Sequence, residues 1–193
     1  MKILVIGKNG QLGKSINKVI TNTKQENEYI FTGTEDLDLS KETNINSYFN
    51  NNIFDAIINC AAYTNVDKAE EDIVFANQIN NLAVAQLSSI AKKQKSKLIQ
   101  ISTDYVFDGK SNKPYTENDP VNPINAYGKT KLAGEQAILK EMSNNAIIIR
   151  TSSLYSEFGN NFVNTMLKLG KERDELSIVN DQVGSPTYAT DLA

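Results

Sequence analysis

The chain contains no histidine, no tryptophan, one cysteine and only four prolines in 193 residues. With Cys60 as the lone thiol, these residues cannot build a zinc or iron–sulfur centre from imidazole and thiolate ligands, nor an intrachain disulfide. So little cysteine suits a reducing setting, and a cytoplasmic location is the expectation. No apolar run approaches the ~20 residues needed to cross a bilayer. The opening Lys2-Ile3-Leu4-Val5-Ile6 is too short for the apolar region of a secretory signal. A large charge of one sign is also lacking: 20 basic against 23 acidic residues leave a net charge of −3, so nucleic acid is not the expected partner. What remains, 40% hydrophobic and 22% charged, is ordinary globular composition on a chain long enough to bury one substantial core.

Short apolar runs alternate with longer amphipathic stretches. Strands are expected at Ile3 to Ile6, Tyr29 to Thr32, Asp55 to Cys60, Lys97 to Ser102, Ala146 to Arg150 and Leu176 to Asn180. Helices are expected at Gln11 to Ile20, Lys41 to Asn51, Asp72 to Lys93, Ala126 to Met142 and Asn160 to Lys171. Runs such as Ile147-Ile148-Ile149 are apolar at consecutive positions, which implies cover on both faces of a parallel sheet. The fold class is therefore α/β, a doubly wound, mostly parallel, Rossmann-like sheet. Asn50-Asn51-Asn52 reads as a helix end. The segment Asp108 to Asn125 carries three of the four prolines and is the one long loop. Near the end, Thr187 to Ala193 reads as a loop entering a helix, with Thr190 or Asp191 as N-cap. The sequence stops within a turn of that start, so a piece of a longer protein is the expectation.

Directly after the first strand, Gly7-Lys8-Asn9-Gly10-Gln11-Leu12-Gly13 has the spacing G-x-x-G-x-x-G and opens a helix. Glycine there permits a sharp turn and close approach of a pyrophosphate, and the helix N-terminus offers free N–H groups. A tight turn without ligand would use the same residues; the strand–turn–helix context favours a nucleotide. The acid that commonly follows the second strand, where it holds a ribose hydroxyl, is replaced by Gly33-Thr34. NADPH is thereby tolerated, while Glu35 and Asp36 lie near enough to serve NADH, and the choice of dinucleotide stays open.

Tyr127 and Lys131 stand at i and i+4 on one helix face. An ammonium beside a phenol lowers its pKa and makes it a usable proton donor. By itself the pair could be mere helix surface. Ser102-Thr103-Asp104 at the end of the fourth strand adds to it, because ligands of open parallel sheets sit beyond the carboxyl ends of the strands, although a turn cap would use the same residue types. Gly134 leaves room for close approach one turn on. Asp67, Glu70, Glu71 and Asp72 read as carboxylates favouring a helix N-terminus rather than as a metal site. Cys60 reads as inert packing and the lysines from 92 to 97 as a solvated helix end.

Tyr-x-x-x-Lys, the upstream hydroxyl and the glycine loop together resemble the extended short-chain dehydrogenase/reductases. The stretches Asn59 to Glu70, Ser102 to Gly109, Tyr127 to Glu135 and Asn180 to Thr187 resemble, more narrowly, the dTDP-4-dehydrorhamnose reductase family, across essentially the whole chain. The resemblance implies an NADPH- or NADH-dependent oxidoreductase reducing the 4-keto group of dTDP-4-dehydro-L-rhamnose to dTDP-L-rhamnose, in biosynthesis of cell-surface polysaccharide. It implies Tyr127 as proton donor, Lys131 as the residue that depresses its pKa and holds the nicotinamide ribose, and Thr103 as hydrogen-bond partner of the reacting oxygen. By the same motifs Gly7, Gly10, Gln11, Leu12 and Gly13 line the pyrophosphate, Asp38 and Leu39 the adenine side, and Ala62, Tyr63 and Thr64 the rest of the cofactor. Asp104 and Tyr105 meet the sugar along with Thr103. The implied partner is a nucleotide sugar, with no membrane and with a homodimer left open. Residues 1–193 would form a dinucleotide-binding domain in which a C-terminal substrate-binding region starts at about residue 181.

Two departures stand out. Family members often place tryptophan after Arg-Thr-Ser, whereas Ser153 follows Arg150-Thr151-Ser152. The first-helix carboxylate that some members use for a magnesium-bridged dimer is missing around Lys14-Ser15, so no metal is expected. Another nucleotide-sugar epimerase or dehydratase, and a non-catalytic dinucleotide-binding subunit, are the competing readings. Tyr105 after Asp104, where a dehydratase would use glutamate, weighs against the first; intact Thr103, Tyr127 and Lys131 weigh against the second.

Overall fold

The computed structural model describes residues 1–23, 26–142 and 144–193. Its first strand, β1 (Lys2–Ile6), buries Leu4, Val5 and Ile6 almost completely, as a strand covered on both faces must. Helix α1 (Gln11–Asn22) follows, then β2 (Glu28–Thr32), α2 (Glu42–Asn50) and β3 (Ala56–Asn59). Two short helices, α3 (Val66–Glu71) and α4 (Ile73–Asn77), run through a π-helical turn at Gln78–Leu82 into α5 (Ala83–Gln94). The chain continues through β4 (Lys97–Thr103), a 3₁₀ turn at Asp104–Val106, the long loop, α6 (Ala126–Glu141) and β5 (Ala146–Thr151).

These strands form one five-stranded sheet in the order β2-β1-β3-β4-β5, with every pairing parallel. The α/β, Rossmann-like architecture expected from the alternation is what the chain adopts. The first crossover carries the chain from β1 to β2 on one side, and the next returns it past β1 to β3 on the other. The crevice at that reversal, beyond the strand ends, is where such sheets bind ligands. One apolar layer joins Leu4, Ile6 and Ile57 to Ile45, Phe49, Val84, Leu87 and Ile138. The other joins Val5 and Ile58 to Leu12 and Ile16 of α1. Each fully buried leucine or isoleucine here contributes about 1.5–3 kcal/mol.

Several expectations need correction. Leu176 to Asn180 forms no strand; Ile178 and Val179 are exposed, and no sheet edge reaches them to supply a ladder. A two-stranded parallel sheet forms instead from β6 (Leu154–Tyr155) and β7 (Thr187–Tyr188). The apolar run of β5 is not covered on both faces, because β5 is the sheet's edge and Ile147 is 58% exposed. The helix near the chain end, α8 (Ala189–Leu192), starts before Thr190 and Asp191, with Tyr188 in the N-cap position. Helix α7 (Phe162–Glu172) forms as expected but buries none of its residues. The acidic run splits between two caps: Asp72 accepts the Phe75 N–H at 3.1 Å, and Glu70 accepts the Ala126 N–H at 2.7 Å, tying α3 to the start of α6. Among the described residues, no group of three or more His, Cys, Asp or Glu side chains could hold a metal ion, and no helix is long and apolar enough to cross a membrane.

Candidate active site

The glycine loop is shaped by contacts that a side chain would obstruct. Gly7 turns with φ of +95° at the end of β1, and a Cβ on it would lie 2.9 Å from the Ala61 nitrogen at the end of β3. A Cβ on Gly13 would lie 2.3 Å from the Gly7 carbonyl oxygen, so α1 can pack this close to the loop only with glycine there. Gly10 is the N-cap of α1 and brings no side chain to its first turn. The amides of Gln11, Leu12 and Gly13 therefore begin a helix without a side-chain cap, the arrangement that accepts a phosphate. Leu12 itself is buried against the sheet. The Gln11 side chain points elsewhere: its Oε1 accepts from Ser156 Oγ at 3.0 Å and Asn161 Nδ2 at 2.9 Å, and its Nε2 donates to the Leu154 carbonyl at 3.3 Å. It braces the loop against the segment after β6.

Beyond β2, the Asp38 carboxylate is occupied by its own turn. It accepts the Ser40 N–H at 2.9 Å and the Ser40 hydroxyl at 2.6 Å, and pairs with Lys41 at 3.1 Å. These bonds hold its carboxyl below the usual aspartate range. The Leu39 side chain is in the core. Both residues, expected on the adenine side, thus commit their side chains to the fold. Ala62 and Tyr63 are half-buried, and Thr64 is exposed, on the loop leaving β3. Asn80 fixes this loop. Its Oδ1 accepts the Tyr63 N–H at 2.9 Å and its Nδ2 donates to the Tyr63 carbonyl at 3.0 Å and to Thr130 Oγ1 at 3.2 Å. Sequence reasoning missed Asn80, whose signal is a π-helical turn that no spacing announces. The room left by Gly134 is used here: a Cβ on it would meet the Asn80 carbonyl at 2.2 Å.

Helix α6 carries Tyr127 and Lys131, both nearly buried. Its start is capped by Asn125, whose Oδ1 accepts the Gly128 N–H at 2.7 Å. Gly128 lies so close to the 3₁₀ turn that a Cβ would meet the Tyr105 carbonyl at 2.2 Å, which brings Tyr127 against the end of β4. There the Thr103 side chain lies near enough to the phenol to pull its pKa down. The same hydroxyl accepts the Tyr105 N–H at 3.2 Å and donates to Asp104 Oδ1 at 3.2 Å. The Tyr105 ring, 41% exposed, meets the Tyr127 ring edge to face at 5.6 Å. Thr103, Asp104, Tyr105 and Tyr127 are therefore gathered at one strand end.

Lys131 departs from expectation. Its ammonium donates to the Ile101 carbonyl at 2.6 Å, two residues before Thr103 on the same strand. Tyr127 is shifted upward, not downward: burial raises the phenol, Thr103 pulls it down, and Asp104 and Tyr105 push it further up, with no contribution from Lys131. Two side chains one helical turn apart share a face but reach different partners when the strand they face offers a carbonyl nearer the lysine. Burial pushes Lys131 down to about 8, opposed by Glu135 and Cys60. Burial also pushes the Cys60 thiol up to about 12, which keeps it protonated and inert.

One turn beyond Lys131, Glu135 is buried and accepts from Ser102 Oγ at 2.5 Å and from Arg150 Nε and Nη2 at 3.0 and 2.6 Å. Arg150 also lies 5.1 Å from the Phe107 ring centroid. This network joins α6, β4 and β5 directly beneath Thr103. Its signal was available as the second i+4 step in Tyr127, Lys131, Glu135. Ser153 takes a left-handed conformation, φ +44°, at the turn between β5 and β6.

A family model described as RmlD substrate binding domain matches residues 1–193. The chain belongs to that family. It is 40% identical to dTDP-4-dehydrorhamnose reductase of Aggregatibacter actinomycetemcomitans over all of its own length and 65% of that protein's. Among solved structures, the dTDP-4-dehydrorhamnose reductase of Clostridium acetobutylicum superposes with a TM-score of 0.94 at 47% identity, covering 100% of this chain and 67% of the other. That of Bacillus anthracis, in complex with NADP, gives 0.93 at 40% identity, covering 99% and 67%. The chain thus spans just under two thirds of the curated relative's length.

Proposed function

We propose that the chain is the dinucleotide-binding and catalytic part of a cytoplasmic NADPH- or NADH-dependent dTDP-4-dehydrorhamnose reductase, with its substrate-binding region opening at about residue 181. The observation that carries this reading is the gathering of Thr103, Asp104, Tyr105 and Tyr127 at the carboxyl end of β4, with Lys131 held two residues back on the Ile101 carbonyl, on the same side of the sheet as the glycine loop. The residues fit a dinucleotide, since the loop keeps uncapped helix amides clear of side chains. When bound, NADPH or NADH supplies a hydride to C4 of the keto sugar. Tyr127 then gives its phenolic proton to the carbonyl oxygen, forming the alcohol, and is reprotonated from solvent. Its upward shift keeps it protonated at neutral pH, the form a donor needs. Thr103 orients that oxygen and the phenol together. The Lys131 ammonium, held on the Ile101 carbonyl, places positive charge beside the strand end where negative charge develops, and would hold the nicotinamide ribose if it turned from that carbonyl. Asp104 and the exposed Tyr105 ring face the sugar.

Fluorescence titration of the chain with NADPH and NADH tests the cofactor half directly; saturation by at least one is expected, and binding of neither would defeat the reading. The catalytic half predicts a pH limb. As pH rises through about 8, Lys131 loses its proton. The full-length enzyme's kcat/KM, which reports the free enzyme, is expected to fall by about tenfold per pH unit above that point. Lys131→Arg keeps the charge at all working pH and should remove the limb.

A further inference from the structure

A row of amides runs through the sheet to the Lys131 ammonium. Asn59 and Gln100 face each other in the last paired register of β3 and β4, 0% and 3% exposed. The Lys97 N–H donates to the Asp55 carbonyl, so by the alternation of a parallel ladder the Ile101 carbonyl also faces β3. There the Ala61 N–H would meet it if the pairing ran on. That N–H is instead turned to Asn59 Oδ1, at 3.2 Å. Asn59 Nδ2 donates to Gln100 Oε1 at 2.8 Å, and Gln100 Nε2 donates to the Ile101 carbonyl at 2.8 Å. The two ends of the row are backbone groups of fixed character, an N–H that only donates and a carbonyl that only accepts. Each side-chain amide therefore has one orientation that satisfies both neighbours; turning either over sets donor against donor and acceptor against acceptor. The carbonyl's other lone pair takes the Lys131 ammonium at 2.6 Å. The far end of the row touches the glycine loop, since the Ala61 nitrogen is the atom that a Cβ on Gly7 would strike at 2.9 Å.

We propose that Gln100, oriented by Asn59, is a positioning residue for Lys131: it keeps the Ile101 carbonyl hydrogen-bonded, so that the ammonium can leave that carbonyl for the dinucleotide. This rests on the dinucleotide reading above. A buried carbonyl stripped of its donors costs free energy comparable to a lost hydrogen bond. Without Gln100, the Lys131 ammonium would be the donor that replaces the missing ladder bond, and the strand would hold it back. With Gln100 in place, the departing ammonium exchanges one partner for another and orphans nothing. The charged and titratable groups around Lys131 do not supply this release. Glu135, on its own helix, is engaged by Ser102 and Arg150, and the Cys60 thiol on the β3 side stays protonated. The amide row is neutral, so it governs where the ammonium rests while adding no charge to the site.

The test is a double-mutant cycle on NADPH affinity, read by fluorescence titration of the wild-type chain, Gln100→Met, Lys131→Met and the double variant. Gln100→Met keeps the length of the side chain and removes both of its hydrogen bonds. It is expected to raise the Kd for NADPH by about tenfold where Lys131 is present, and to change it by less than about twofold where Lys131 is already methionine. A merely structural role would not give that pattern, because loosening around the unpaired Asn59 amide weakens binding equally in both backgrounds. Should Gln100→Met fail to fold, Asn59→Asp replaces it in the cycle. That variant still accepts the Ala61 N–H but offers Gln100 a second acceptor, which turns its amide over and aims Oε1 at the Ile101 carbonyl; the same loss, again confined to the Lys131 background, is expected. An equal loss in both backgrounds, or no loss in the first, overturns the positioning role. Failure of the wild-type chain to bind either NADPH or NADH overturns the underlying cofactor reading instead.

Discussion

Tyr127→Phe is expected to lower turnover of the full-length enzyme by about 10²–10⁴-fold, the usual worth of a positioned proton donor. The structural cost should be small. The ring keeps its packing against Ala69, Ala76, Ala126 and the Tyr105 ring, and only the hydroxyl is lost. Thr103 beside it retains the Tyr105 N–H and the Asp104 carboxylate. Removing a hydroxyl whose neighbour stays satisfied costs about 1 kcal/mol or less. A thermal melt close to wild type, a dinucleotide affinity within about threefold and a collapse in kcat would together place the effect in chemistry. Normal turnover of Tyr127→Phe would remove the phenol from the reaction and leave Thr103 or solvent to supply the proton.

That prediction separates two ideas that the sequence joined. Spacing correctly placed Tyr127 and Lys131 on one helix face, because a helix repeats every 3.6 residues whatever surrounds it. It could not tell which atoms they would touch. The Ile101 carbonyl captures the ammonium, and burial, rather than the lysine's charge, leads the phenol's shift. The phosphate loop and the alternation of strands and helices were legible for a similar reason. Gly7 and Gly13 are forced by contacts within a few residues or with the adjacent strand, and the apolar run of β1 is buried as read, whereas that of β5 is not because β5 ends the sheet. Leu176 to Asn180 misled because an apolar run states a propensity, while a strand also needs a partner edge. Asn80 was illegible as geometry, because it joins segments whose juxtaposition only the folded chain supplies.

The same distinction makes Glu135 the most sensitive position for stability. It stands within the recognised motif, yet its work is to neutralise Arg150 and to hold Ser102 at the end of β4. Glu135→Ala strands the guanidinium, 23% exposed, beside a cavity and leaves the Ser102 hydroxyl without its acceptor. Breaking such a pair from one side costs on the order of 3 kcal/mol. For a domain of this size that is a drop in Tm of about 6–12 °C. Glu135→Leu combined with Arg150→Met should recover much of the loss, since an apolar pair of similar volume avoids an uncompensated charge. The double variant also tests function separately from folding. Lys131 would lose the Glu135 carboxylate that pulls its pKa upward, so its proton should leave at lower pH. The alkaline limb of kcat/KM should then shift downward in a protein that melts near wild type. A recovered Tm with an unmoved limb would confine Glu135 to holding the strands together.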